Sequence, residues 1–488
     1  MRLHAPDLVI IAAYLVGITL FGMRFRKGQQ DLRDYFLGGR TAPWWALAFS
    51  IVATETSTLT VIGTPALAFA GNLGFLQLVM GYLVARVVLC LLFIPQYFRG
   101  DFFTAYQLIE KRFGARMKSV AAGTFLLTRA LAEGVRITAI ALVVSVAFGT
   151  GQRTSVILIT LLTLLYTFHG GMRAVIWTDV VQLGIYLSGA VAAFFLLLNR
   201  IPGGWAEVVQ TAAAAGGKLT VLDFTFSLTQ TYTFWSGVLG GTFLTMASHG
   251  TDQLMVQRLL AARNERDSKL ALLTSGVVVF AQFTLFLVIG VMLFTYHQHA
   301  PLIGPAEATD RIFPEFIVRE MPAGLAGLMI AAIFAAAMST TSGTLNSLAS
   351  SSIIDFYRGR GQTTGDARFL QMSRRMTLVW GAVLLVLGNL QWGPVLEAGL
   401  TIASITYGSL LGLFLLGFLN KRATPNGALA GMIAGLALML YVKFATPLAW
   451  TWYVLVGTLT TFLVGSAASL LDNRSHSGHS ANSSAEAG

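Results

Sequence analysis

Ala53-Thr54-Glu55-Thr56-Ser57-Thr58-Leu59-Thr60 places one carboxylate and five hydroxyls side by side. Oxygens of this kind can hold a hard cation or hydrogen-bond a polar solute. Their setting is apolar on both sides, in a stretch from Ala42 to Gly71 that is long enough to cross a bilayer. An ionisable group at that depth costs a few kcal/mol, so Glu55 calls for a role or a partner. Gly63 and Pro65 follow in the second half, and proline removes a backbone donor. Backbone opened at membrane depth is tolerated where protein or water satisfies it again, and broken helices of this sort are where transporters bind ions and substrates. The alternative is a helix whose hydroxyls bond their own carbonyls one turn back.

A second oxygen-rich run lies in the apolar stretch 322–352. Ala336, Ser339, Thr340 and Ser342 fall within two helical turns, and Asn346 follows one turn on. Two hydroxyls from one helix and carbonyls from an opened one would suit sodium; a small-residue packing face is the other reading. Glu133 and Arg136 stand one turn apart and can pair. Arg86 reads as packing against cytoplasmic ends, and His249 as a hydrogen-bonded bundle residue or a ligand. Asp179 reads as a structural carboxylate. No HExxH or paired intramembrane aspartate motif is present, so an enzyme is not expected.

The elements that must position these groups are membrane helices. Of 488 residues, 55% are hydrophobic and 11% charged, well below the roughly 25% charged of soluble domains. The net charge of +11 lies in short loops between apolar runs, which argues for membrane orientation and against nucleic-acid binding. Cys90 is the single cysteine, so no intrachain disulfide forms. Apolar run lengths predict about thirteen spans: roughly 6–24, 42–70, 73–97, 117–147, 153–171, 174–199, 233–251, 268–297, 322–352, 373–391, 398–419, 426–444 and 449–471. Connections at about 200–232 and 298–321 have room for short interfacial helices. The tail 473–488 is polar and expected to be disordered. With the N-terminus outside, about 23 Lys and Arg fall inside and about 7 outside, which puts the C-terminus inside. In 233–251, Gly237, Gly240, Gly241 and then Ser248-His249-Gly250 interrupt another span, five spans after the first interruption. Matching interruptions in two halves indicate an inverted repeat, 42–199 and 233–419. Close helix packing through small residues is the alternative for the glycines.

Five segments carry a resemblance. DYFLGGRTAPWW with SIVATETSTLTVIGTPALA, YTFHGGMRAVIWTDVVQ, TDQLMVQRLLAA, MSTTSGTLNSLASSSIIDFY and ITYGSLLGLFLLG occur in order between Asp34 and Gly417. Together they resemble the sodium:solute symporter family. The resemblance implies an all-α membrane protein with a LeuT-type five-plus-five inverted repeat, one extra N-terminal helix and two extra C-terminal helices (426–471). It implies sodium-coupled symport of a sugar, amino acid or carboxylate by alternating access. A proton-coupled symporter of the same fold and a transport-dead sensor are the alternatives, and a bacterial cytoplasmic membrane is the expected location. Sodium, a small solute and membrane lipids are the expected partners.

Carried over residue by residue, the resemblance assigns sodium to the carbonyls of Ala53, Thr56 and Ala336 and the hydroxyls of Ser339 and Thr340. Family members that carry sialic acid have a second sodium site. Its positions here are Asp179, Ser339, Ser342 and Gly343, the last lacking a hydroxyl. Ser57, Thr60 and Phe75 match solute-contacting positions. Glu55, Gln77, Arg136 and His249 complete the candidates for the solute site, with Glu55 also able to tune the ion site or take up a proton.

Overall fold

The computed structural model describes residues 3–25, 37–100, 102, 104–166, 172–300, 309–356 and 366–485. Within its helices the side chains of Ala336, Ser339, Ser342 and Asn346 lie outside the described residues. The chain is helical. α1 (Ala5–Met23) is followed by α2 (Trp44–Glu55) and α3 (Thr58–Ala70), which together make one span bent by 61°. α4 (Leu76–Leu92) leads through the short α5 (Ile94–Phe98) and α6 (Ala105–Phe113) to the long α7 (Ala115–Phe148). α8 (Gln152–Tyr166) and α9 (Met172–Arg200) close the first five-span block.

The second block opens with another divided span, α11 (Phe234–Gly250) and α12 (Gln253–Leu260). It continues through α13 (Glu265–Tyr296), α15 (Leu325–Ile354), α16 (Asp366–Gly388) and α17 (Val395–Leu419). α18 (Pro425–Ala445) and α19 (Tyr453–Ala485) follow. Counting each divided pair once, these elements match the expected spans one for one. The two polar connections do carry short helices, α10 (Gly204–Ala214) and α14 (Ile312–Glu320).

Three local expectations change. Pro65 does not end its helix: α3 runs through it, and the interruption falls earlier, at Thr56–Ser57. α11 likewise runs unbroken through its glycines and stops only after Gly250. Those glycines serve packing. A Cβ on Gly237 would lie 2.8 Å from the Gln77 backbone, and one on Gly241 2.2 Å from the Leu78 carbonyl. α4 and α11 therefore touch backbone to backbone, as small residues allow. The polar tail, which composition marks as disordered, continues α19 as far as Ala485. It holds no proline to stop propagation from the span before it.

The extra N-terminal helix is pinned by one carboxylate. Asp7 is buried, and its Oδ1 accepts from the N–H groups of Gly324 (2.6 Å) and Gly327 (2.9 Å). These are free donors at the start of α15, where a negative charge is stabilised. α15 also packs against α3, α7, α9 and α12, so it touches both blocks.

Candidate functional site

The first interruption comes from backbone that cannot continue. Thr56 has φ −87° and ψ 77°, and Ser57 is extended. The Ser57 N–H turns to the Glu55 carbonyl (3.1 Å), while the N–H groups of Thr60 and Val61 turn to Ser57 (2.9 and 3.2 Å). Among the described residues no backbone donor reaches the carbonyls of Ala53, Thr54 or Thr56. Buried carbonyls need partners, and three pointing out of one kink suit a cation. The Thr56 hydroxyl is occupied, since Gln282 of α13 donates to it at 2.6 Å. Of the hydroxyl candidates on α15, Thr340 is described and partnered; Ser339, Ser342 and the Ala336 side chain lie outside the described residues.

Glu55 ends α2 and is already balanced. Arg86 of α4, 1% exposed, donates to its Oε2 at 2.5 Å, and His249 Nε2 of α11 lies 3.5 Å from the same oxygen. His249 Nδ1 is 2.9 Å from Ser248 Oγ. Arg86 also donates to the Tyr82 carbonyl and to Ser275 Oγ. It does not sit at the cytoplasmic ends as its sequence position suggested, but counters Glu55 in the interior. This cluster ties the first interruption to the end of α11, beside the second.

The second interruption, Thr251–Asp252, is capped. Asp252 Oδ1 accepts from the Leu254 N–H (2.9 Å), and Tyr407 donates to Oδ2 at 2.6 Å. Arg129 of α7 pairs with the same carboxylate.

Between the interruptions lies a cavity of about 130 Å³. Glu55, Ser57, Thr60, Phe75, Arg136 and His249, all solute candidates from sequence, line it. Gln77 does not. It is fully buried, donates to the Gly74 and Tyr232 carbonyls and accepts from the Asp223 N–H, so it fastens the 200–232 connection. Arg129, Tyr82, Thr245, Phe283 and Tyr407 also line the cavity without having been singled out as solute contacts. An intramembrane arginine such as Arg129 was itself the available signal; its partner Asp252, far away in sequence, was not visible. Phe75 stacks on Phe283 at 5.3 Å. Phe75 and Leu396 line both this cavity and a second of about 370 Å³ that carries Asp310 and Glu397. The two side chains thus separate a vestibule from the central cavity.

Arg136 keeps donors to spare. Its Nη1 donates to Glu133 at 3.2 Å, but its buried Nε has no partner among the described residues. Glu133, 0% exposed, also accepts from Thr341 (2.6 Å) and Thr344 (3.0 Å) of α15. Asp179 is held elsewhere: Ser50 donates to it at 2.6 Å, and Arg258 of α12 at 3.1 Å. Arg258 Nε also donates to Ser50 Oγ at 3.1 Å.

The sodium:solute symporter family profile matches residues 35–435. A sodium/sialic acid symporter, NanT, of Aliivibrio fischeri is 32% identical over 94% of this chain and 91% of its own. The Homo sapiens sodium/iodide cotransporter is 31% identical over 88% of this chain and 68% of its own. A solved structure of a Na+-coupled sialic acid symporter, in its substrate-bound outward-open state, matches with TM-score 0.87 and 29% identity. That match covers 96% of this chain and 98% of the other. The interrupted spans, the five-plus-five order and these likenesses agree: the chain belongs to the sodium:solute symporter family and works as an integral membrane protein by sodium-coupled symport through alternating access.

Proposed function

We propose that the solute carried with sodium is a small organic anion whose carboxylate meets Arg136. The observation that carries this reading is the buried Arg136 Nε, which lacks a partner among the described residues in the wall of the central cavity. A buried donor without a partner is costly, and a guanidinium fork matches a carboxylate. Glu55, by contrast, is already countered by Arg86. The central cavity of about 130 Å³ suits a small solute. Leu59, Phe75, Leu244, Phe283 and Leu400 would pack its apolar part. The relatives named for sialic acid and iodide both act on anions.

Sodium is assigned to the carbonyls of Ala53, Thr56 and Ala336 with the hydroxyls of Ser339 and Thr340. The open carbonyls at the first interruption support this set. Asp179 is already balanced by Arg258, so one sodium per cycle is the preferred stoichiometry, and Ser342 is left without an ion role. The N-terminus is assigned to the outside of a plasma membrane and the C-terminus to the inside, from the Lys and Arg distribution.

Uptake into proteoliposomes tests the reading, with pyruvate as the short monocarboxylate and pyruvamide as its neutral counterpart. An inward sodium gradient should concentrate pyruvate and not pyruvamide, and a proton gradient alone should concentrate neither. Arg136→Gln should raise the pyruvate KM by about tenfold or more, the worth of a hydrogen bond to a charged group. Equal handling of the two solutes, or an unchanged KM in that variant, removes Arg136 from the solute site. Accumulation driven by protons alone would move the coupling role to Glu55.

A further inference from the structure

Glu133 stands between two parts of the machinery. It lies on α7, fully buried, with three side chains on its carboxylate. Arg136 Nη1 and Thr344 Oγ1 share Oε2, at 3.2 and 3.0 Å. Thr341 Oγ1 takes Oε1 at 2.6 Å. Arg136 lines the central cavity. Thr341 directly follows Thr340 on α15, the helix that carries the proposed sodium hydroxyls. The carboxylate is therefore the hydrogen-bonded joint between the cavity wall and the sodium helix.

We infer that Glu133 is a positioning residue that couples the solute site to the sodium site through Thr341 and Thr344. The inference rests on the reading that Arg136 meets the solute. A solute carboxylate draws the Arg136 guanidinium toward the cavity and loosens its hold on Glu133 Oε2. The charge that Arg136 had balanced then falls on the two threonine hydroxyls, which hold α15 more firmly against α7. That fixes the neighbouring Ser339 and Thr340 in one arrangement and favours a cation beside them. The linkage is reciprocal: sodium that fixes α15 frees Arg136 for the solute. Each ligand biases the same α7–α15 contact, which is the physical element that a claim of coupling requires.

The test uses sodium as its only ligand, so it stands whether or not pyruvate is carried. Sodium half-saturation is read from intrinsic tryptophan fluorescence of the full chain in detergent. Arg136→Gln mimics the withdrawn guanidinium and should lower the half-saturation by about threefold or more, in the range of measured couplings between contacting residues. In the Thr341→Val/Thr344→Val background the same substitution should change it by less than about twofold. Thr341→Ser/Thr344→Ser keeps both hydroxyls and should restore the full shift, which a loss of packing alone would not predict. Equal shifts in the threonine and valine backgrounds, or no shift in the wild-type background, overturn the inference. If the valine pair does not fold, the serine pair and Glu133→Gln decide it. Serine must keep the Arg136→Gln shift, and glutamine, which lacks the charge, must abolish it; any other pattern refutes the joint.

Discussion

The two interrupted spans are built alike in sequence and finished differently. At the first, Ser57 stands at the N-cap of α3 without making a side-chain cap, and the carbonyls of Ala53, Thr54 and Thr56 have no backbone donors among the described residues. At the second, Asp252 caps α12 through the Leu254 N–H, is neutralised by Arg129 and accepts a hydrogen bond from Tyr407. At the first break the side chain of Ser57 takes no part in capping; at the second a carboxylate caps the turn, and the hydroxyls of Tyr97 and Tyr106 donate to the carbonyls of Gly250 and Thr251. A symporter needs both kinds. Sodium requires a site it can leave, made of neutral oxygens, while the opposing half must keep its shape when the ion is gone. The charges sort accordingly: Glu55 is turned away to Arg86, and Asp252 is locked into its own turn.

The largest effect should come from the finished break. Asp252→Ala removes the counter-charge of a buried arginine, which costs about 3–5 kcal/mol. The Tm in detergent should fall steeply, whether or not sodium is present. Asp252→Asn keeps an acceptor for the cap and should lose less. A full-strength Tm in Asp252→Ala would show that the second break is as loosely held as the first.

Next in size is the bridge between the breaks. Glu55→Gln keeps an acceptor for Arg86 but leaves its charge uncompensated at depth, so the uptake rate should drop by about tenfold or more. Sodium dependence should persist in the activity that remains. If the residual uptake no longer needs sodium, Glu55 belongs to the coupling site rather than to the bridge.

A smaller loss is expected at the open break. Ser339→Ala deletes one of the proposed neutral ligands without adding bulk. Removing such a ligand is worth about 1 kcal/mol, or a roughly fivefold rise in sodium half-saturation. Solute binding should weaken at limiting sodium and recover at high sodium, since the linkage between them is reciprocal. A change in solute affinity that persists at saturating sodium would place Ser339 in the solute site instead.

What the sequence makes legible follows from what acts locally. Apolar run length is local, so the spans are readable from it, and the length of the two polar connections leaves room for their short helices. The oxygen-rich run at Ala53–Thr60 marks the first break because no apolar helix needs a carboxylate and five hydroxyls there. The second break is misplaced by its glycines, which are conformationally permissive in sequence but serve the approach of α11 to α4 in space. Partners are the part that is not local. Arg86 meets Glu55 across 31 positions, Arg258 meets Asp179 across 79, and Thr341 meets Glu133 across 208. Glu55 and Asp179 look like ion-site carboxylates when read alone. Only the partner of each shows whether it is already spent. Gln77 fails as a solute contact for the same reason, because its amide is used up on the 200–232 connection.

The smallest expected effect isolates the contrast most cleanly, because Ser57 and Asp252 occupy the same place in their turns. A working N-cap is worth about 0.5–2 kcal/mol to its helix. Ser57 makes no such bond, yet its residue lines the central cavity. Ser57→Ala should therefore change the sodium-free, solute-free Tm by less than about 1 °C, far below the shift that a lost cap would produce. Its hydroxyl has no partner among the described residues and is proposed to serve the solute, so the pyruvate KM should rise by about threefold to tenfold, as expected for one neutral hydrogen bond. Stability and affinity then separate at the first break, where at the second they fall together. A Tm loss of several degrees with an unchanged KM would reverse the assignment: Ser57 would be a cap like Asp252, and the open break would owe its spare oxygens to the carbonyls alone.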